Sequence, residues 1–195
     1  MIFFDLDGTL TKNDTLVNFS FFAIKQGYLK FVWFIFLFIL LKLKLISNQT
    51  MKKLYAKLCL KGYDEEILRK LSRKWFNLKG KKLLRKRFLN KYLKYQRIIV
   101  SSNFDFLVKL FANYLNIKHY ISISLEIKKK KYTGNILGEV PYGKNKLNYL
   151  KNLLNYKKLK ISTAYGDDNS DIFLLKTVKK GILLGKGLVK NNSKY

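Results

Sequence analysis

The chain opens on an unbroken apolar run, Met1 to Phe4, that stops abruptly at Asp5. So short a run bounded by polar residues predicts a buried strand. After Asp14 the period changes, and apolar residues recur at helical spacings as far as about Tyr95. Within that stretch LRKLSRKWFNLKGKKLLRKRFLNKYLKY sets Leu, Trp and Phe among lysines in the manner of amphipathic helices. RIIVSS, Arg97 to Ser102, predicts a second strand, FDFLVKLFANYL an amphipathic helix, and HYISIS a third strand. SLEIKKKKYTGNIL reads as a hairpin whose turn region carries Lys128 to Lys131 and Gly134. The lysine run there is expected to be a solvated turn. KNKLNYLKNLLNY predicts another helix, LKISTAYGDD a strand running into an acidic loop, and GILLG, Gly181 to Gly185, a last strand. The terminal KNNSKY is expected to fray, and no internal repeat is present.

Strands alternating with helices imply a parallel sheet in an α/β core. The helical block between the first and second strands reads as an insertion. The expected division is therefore a core of residues 1–15 and 96–195, with residues 16–95 inserted. One segment of the insertion, KFVWFIFLFILLKLK, is open to three readings. Its uninterrupted run, Phe31 to Leu41, is shorter than the roughly 20 residues a bilayer span needs. Extended past Lys42 and Lys44 to Ile46 it could still be a span. It could also be a buried helix of the insertion near residues 29–46. Finally, it could lie in a membrane interface, with Lys30, Lys42, Lys44, Lys52 and Lys53 near anionic headgroups.

Composition changes this picture only in part. The 195 residues are 48% apolar, enough for a real core. The formal charge of +28, from 40 basic and 12 acidic residues, suggests nucleic acid or an anionic membrane. However, Lys far outnumbers Arg, Asn, Ile, Phe and Tyr are plentiful, and Pro occurs once. A/T-rich codons give the same pattern, so much of the charge needs no partner. Cys59 is the only cysteine, which excludes a disulfide framework and a thiolate metal cluster and fits a reducing cytoplasm. His119 is the only histidine and is expected at the surface or a strand end, not in a catalytic triad or a zinc site. The first strand starts almost at Met1, so no signal peptide is expected before it.

In an open α/β sheet, ligands bind beyond the carboxyl ends of the strands. Three strand ends here carry polar groups: Asp5 and Asp7, then Ser101 and Ser102, then Asp167, Asp168 and Asp171. Lys144 and Lys146 open a helix upstream of the last of these. Acids, a hydroxyl and a lysine together suit Mg²⁺ and a phosphate, because Mg²⁺ takes a few carboxylate oxygens plus water and substrate oxygens.

This order of motifs resembles the haloacid dehalogenase superfamily of phosphotransferases. DLDGT is similar to its first motif, the VSS of IIVSSN to its second, GKNK to its lysine motif and GDDNSD to its acidic fourth motif. The resemblance covers nearly the whole chain and implies a Rossmann-like core with an all-helical cap where the insertion falls. It implies Asp5 as a nucleophile forming an aspartyl-phosphate, and Asp7 as general acid and then base. It also implies phosphate contacts from Gly8, Thr9, Ser101 and Lys146, with Ser102 and Lys144 as neighbouring alternatives. Mg²⁺ would be held by Asp167, Asp171, the Asp5 carboxylate and the Asp7 carbonyl. Asp168 stands where relatives of the phosphoserine phosphatase type often have Ser, which leaves its part open.

FDLDGTLT, VSSNFDFLV and AYGDDNSD most resemble the subfamily IB branch that includes phosphoserine phosphatase-like hydrolases. The lysine-flanked apolar segment is similar to that of soluble-fold phosphatidylglycerophosphate phosphatases. The expectation is a Mg²⁺-dependent phosphomonoesterase, acting on a lipid phosphate at the inner face of the cytoplasmic membrane through peripheral contact with anionic lipid. A cytoplasmic phosphatase for phosphoserine or another small metabolite is the alternative. A basic nucleic-acid-binding protein is the remote one, since the sequence gives no RNA-reading motif.

Overall fold

The computed structural model describes residues 1–85, 88, 92–184 and 187–189. The helical reading at residues 86–87 and 89–91, and the fraying of KNNSKY, lie outside them, as does Gly185 of the last predicted strand.

Among the described residues the sheet has seven strands. They are β1 (Ile2–Phe4), β2 (Arg97–Phe104), β3 (His119–Lys128), β4 (Lys131–Leu137), β5 (Thr163–Gly166), β6 (Lys180–Leu183) and β7 (Gly187–Val189). Their order is β4-β3-β2-β1-β5-β6-β7. β1 runs parallel to β2 and β5, and β2–β3 and β5–β6 are parallel as well. Only the outer strands β4 and β7 are antiparallel to their neighbours. Phe4 pairs with Ile99 on one side and Tyr165 on the other. The three central strands therefore deliver Asp5, Ser101 and Asp167 at about one level, along one edge of the sheet.

Among the described residues, α1 (Thr15–Lys25), α2 (Val32–Lys42), α3 (Asn48–Tyr55) and α4 (Glu65–Leu78) lie between β1 and β2. Three have side-chain caps, in which Asp14 accepts from the Val17 amide, Ser47 from Thr50, and Asp64 from Glu66 and Ile67. Each such cap is worth about 1 kcal/mol. α5 (Asp105–Tyr114) follows β2, while α6 (Lys144–Leu153), α7 (Tyr156–Lys160) and α8 (Ile172–Thr177) lie further on. The sequence reading missed α7 and β7. The Leu159–Lys160 pair, taken as the approach to a strand, instead closes a five-residue helix capped by Asn155, and β5 starts only at Thr163.

Phe19 of α1 meets Phe31, Trp75 of α4 and Phe106 of α5 edge-on, at 5.4–5.7 Å between ring centroids. Tyr55 of α3 stacks on Phe104 of β2 at 5.3 Å. Each such pair adds roughly 0.5–1.5 kcal/mol beyond burial. The helical block and one face of the sheet thus share a core. It is also hydrogen-bonded to the β3–β4 hairpin, where Gly62 donates to the Tyr132 carbonyl at 2.7 Å and Glu65 to that of Lys130 at 2.8 Å. The hairpin turn is solvated as expected, with Lys129 and Lys130 exposed and in the left-handed region (φ 49° and 62°). Gly134 belongs to β4, not to the turn. On the other sheet face a second core packs Phe3, Ile98 and Val100 against Leu150 of α6 and Leu175 of α8.

The ambiguous apolar segment forms an 11-residue helix, α2, ending at Lys42. Among the described residues no helix is long and apolar enough to cross a membrane, so the spanning reading gives way. Phe31, Phe34 and Leu37 are buried, whereas Val32, Trp33, Phe36 and Ile39 are 47–52% exposed. The helix is apolar on its solvent side too. Lys52, expected among headgroups, points inward and is only 5% exposed. His119 is exposed at the start of β3, as expected.

Candidate active site

Directly after β1 the chain makes a tight turn over residues 6–10, broken at Gly8, whose φ is 76°. A Cβ at Gly8 would sit 2.0 Å from Asp167 Oδ2, so only glycine lets the two acidic loops approach this closely. Arg85 braces the turn from outside, its Nη2 donating to the Gly8 carbonyl at 3.1 Å and its Nε to that of Thr11 at 3.3 Å.

Lys146, on the first turn of α6, is buried and donates from Nζ to Asp5 Oδ1 at 2.7 Å and to Asp171 Oδ1 at 2.6 Å. Asp171 Oδ2 accepts from the Asp167 amide at 3.1 Å, and the Thr9 hydroxyl donates to Asp167 Oδ1 at 3.2 Å. Asp5, Asp167 and Asp171 each bring an oxygen within 4.8 Å of the others. Three carboxylates gathered around one ammonium leave an excess of negative charge, and the donors are all hard oxygens. That donor set fits Mg²⁺.

Asp7 is held from two sides. Its Oδ1 accepts from the Thr15 amide at 2.7 Å and its Oδ2 from Asn103 Nδ2 at 2.9 Å. Asn103 is itself fixed, its Oδ1 accepting from the Phe104 amide at 2.8 Å. Lys52 of α3 lines the same cavity, a space of about 220 Å³ bounded also by Ser102 and Tyr142.

Burial raises the Asp5 carboxyl well above the usual range, Lys146 opposes this, and Asp171 and Asp7 add to it. Burial likewise raises Asp7 to about 6, aided by the charge of Asp14 and countered by Lys52. Asp167 is raised for the same reason, with Asp171 and Asp168 contributing. For Lys146, burial disfavours the charge, but Asp5 and Asp171 outweigh it and hold the ammonium protonated.

These shifts predict an unusual stability profile in the absence of divalent cations. Between the unfolded Asp value of roughly 3.9 and the folded Asp7 value of about 6, the native state holds more protons than the unfolded one. Stability should therefore fall as pH rises through 6 and should be higher at pH 5 than at pH 7.5. Thermal melts in EDTA check this, and adding Mg²⁺ at pH 7.5 should recover the loss.

Of the residues singled out in the sequence, Asp5, Asp7, Gly8, Lys146, Asp167 and Asp171 converge here. Thr9 is buried with its hydroxyl committed to Asp167. Ser101 is buried, its Oγ accepting from the Asn103 amide at 3.2 Å, while Ser102 lines the cavity. Lys144 is exposed and takes no part in the cluster. Asp168 is exposed and accepts from the Ser170 amide and hydroxyl, capping the turn at residues 169–171. The sequence reading gave Asn103 and Arg85 no part in the site and set Lys52 among headgroups instead. Asn103 had a signal, since it follows the two serines directly, whereas Lys52 looks like any other of the 40 basic residues.

A larger groove of about 790 Å³ adjoins this cavity and shares Asn13, Asp14 and Asn48 with it. Phe21, Phe22, Phe38 and Leu41 give it apolar walls, and lysines including Lys25 and Lys42 stand along it.

Compared with known proteins, residues 2–176 match the family model described as haloacid dehalogenase-like hydrolase. No curated protein matches the chain in sequence. Among solved structures, a Bordetella pertussis Tohama I protein of unknown function has a similar fold, with TM-score 0.82 and 18% identity over 94% of this chain and 88% of that one. A probable phosphoserine phosphatase from Vibrio cholerae aligns with TM-score 0.66 and 19% identity, over 93% of this chain but only 55% of that one. A phospho-aspartyl intermediate analogue of phosphoserine phosphatase aligns with TM-score 0.60 and 21% identity, over 93% and 83%.

Proposed function

Because this chain belongs to the haloacid dehalogenase-like hydrolase family, we propose that it hydrolyses phosphomonoesters through a covalent intermediate on Asp5. The observation that carries this reading is the Asp5 carboxylate itself. It stands at the end of the central strand, bonded to Lys146, beside Asp167 and Asp171 and two residues before Asp7.

An Asp5 oxygen attacks phosphorus and the bond from phosphorus to the substrate oxygen breaks. Asp7 supplies the proton that the departing alkoxide takes. A carboxyl titrating near 6 is partly protonated close to neutrality, as a general acid requires. Asp7, now a carboxylate, then takes a proton from water as that water attacks the phosphorylated Asp5. The bond between phosphorus and the Asp5 oxygen breaks, releasing inorganic phosphate and restoring the carboxylate. Lys146 stays protonated throughout and offsets charge on Asp5 and on the phosphoryl oxygens. Asp5, Asp167 and Asp171, with the Asp7 carbonyl, would hold Mg²⁺, which supplies further charge neutralisation when bound. Asn103 and the Thr15 amide fix the Asp7 carboxyl so that one oxygen is not free to swing away. The neighbour solved as a phospho-aspartyl intermediate analogue supports the covalent route.

The substrate proposed is a lipid phosphate, such as phosphatidylglycerophosphate, rather than phosphoserine. The apolar, lysine-lined groove beside the small polar cavity favours a leaving group with an acyl chain, because a hydrophilic metabolite gains nothing from Phe21, Phe38 and Leu41.

Phosphate release from phosphatidylglycerophosphate, lysophosphatidate, phosphoserine and sugar phosphates, with and without Mg²⁺, tests both halves. Mg²⁺-dependent release favouring the acyl substrates is expected. No release from any of them overturns the hydrolase reading, and release confined to water-soluble substrates overturns the lipid.

A further inference from the structure

Helix α2 is apolar on two faces, and only one is used by the fold. Phe31, Phe34 and Leu37 pack inward, while Trp33 and Phe36 stand in solvent as an edge-on pair at 6.4 Å, with Val32 and Ile39 alongside. The ends of the helix are basic, with exposed Lys30 before it and exposed Lys42 and Lys44 at and beyond its last turn. The surrounding sequence carries one sign of charge. From Thr15 to Tyr63 there are eight lysines and no Asp or Glu.

We propose that the exposed face of α2 docks on the surface of an anionic lipid bilayer, with the helix lying in the interface plane. This extends the lipid-phosphate reading of the site.

Charge complementarity decides the occupant. A second copy would bring the same excess of lysines to the contact, and like charges across an interface cost affinity. An anionic bilayer offers a negative outer layer for the lysines and an apolar layer beneath for the rings. Interfacial helices bind in this way, and Trp is favoured at that depth. The groove belongs to the other side of the helix: Phe38 and Leu41, one turn on from buried Phe34 and Leu37, line it on its way to the cavity at Asp5 and Asp7, so the exposed face of α2 is left without a use in the site.

Flotation with vesicles of phosphatidylcholine containing phosphatidylglycerol, compared with phosphatidylcholine alone, tests the inference without any turnover. The full chain should float with the anionic vesicles and be released by about 0.5 M salt. The triple variant Trp33→Ser, Phe36→Ser, Ile39→Ser should lose at least about tenfold in partitioning. None of the three touches the cavity, so the variant should keep its melting temperature and its activity on a soluble phosphomonoester. Because Trp75 is buried, a blue shift on adding vesicles reports Trp33. Failure of the wild type to float, or equal flotation of the variant, overturns the proposal. So does a wild-type dimer that the triple variant converts to monomer, which would assign the face to a second copy. An inactive protein that floats leaves the docking surface standing and removes only the hydrolase reading.

Discussion

Asp5→Asn should abolish phosphate release, lowering turnover by at least about 10⁴-fold, since the nucleophile is lost and loss of a nucleophile in a coupled catalytic set costs on this scale. The fold should survive the change. Asn keeps an oxygen to accept from Lys146, a bond now 2.7 Å long, and removes one of the like charges that burial makes costly. Melting temperature should hold or rise while phosphate release vanishes. Turnover surviving intact would end the covalent mechanism, whatever the substrate.

Lys146→Met should fail in a different way, by losing both activity and stability. The Nζ is the shared partner of two buried acids, at 2.7 and 2.6 Å. Removing one member of a buried ion pair costs about 3–5 kcal/mol, because the charge left behind has no compensation. Denaturant unfolding in EDTA should show that loss. Mg²⁺ should restore part of the stability by standing among the same carboxylates, but not the activity, since Asp5 would still lack its fixed cation. Lys144→Met, two residues away and exposed, should stay within about 0.5 kcal/mol of wild type. An equal effect from both substitutions would show that net charge, not this geometry, is at work.

Much of the site was legible because its parts sit at strand ends. Periodicity located β1, β2 and β5 closely enough to place Asp5, Ser101 and Asp167 at one edge of a sheet. The resemblance implied Lys146, with Lys144 as its neighbouring alternative, and Lys146 is the one the structure buries. What stayed hidden depends on long-range packing. Lys52 is one lysine in a basic stretch until α3 turns it under the helical block toward Asp7. Arg85 acquires its contacts with Gly8 and Thr11, 77 and 74 positions earlier, only when the chain between folds back. The two-faced character of α2 was also beyond the pattern, because an all-apolar run has no polar stripe to mark which side meets solvent. The missed β7 carries no such excuse of distance. It is three residues long like β1, but it holds only two apolar side chains after a glycine where β1 is part of an unbroken apolar run.

The shared aromatic core has a consequence for how the molecule melts. Phe19, Trp75 and Phe106 come from two helices of the insertion and one of the sheet layer, yet they form a single cluster. Loosening the insertion strips the sheet of its cover on that face, and loosening the sheet removes what the insertion folds against. The two parts should therefore rise and fall as one cooperative unit. A destabilising change in α1 or α4 would then be felt as protein lost in the cell, long before it was felt as altered substrate preference.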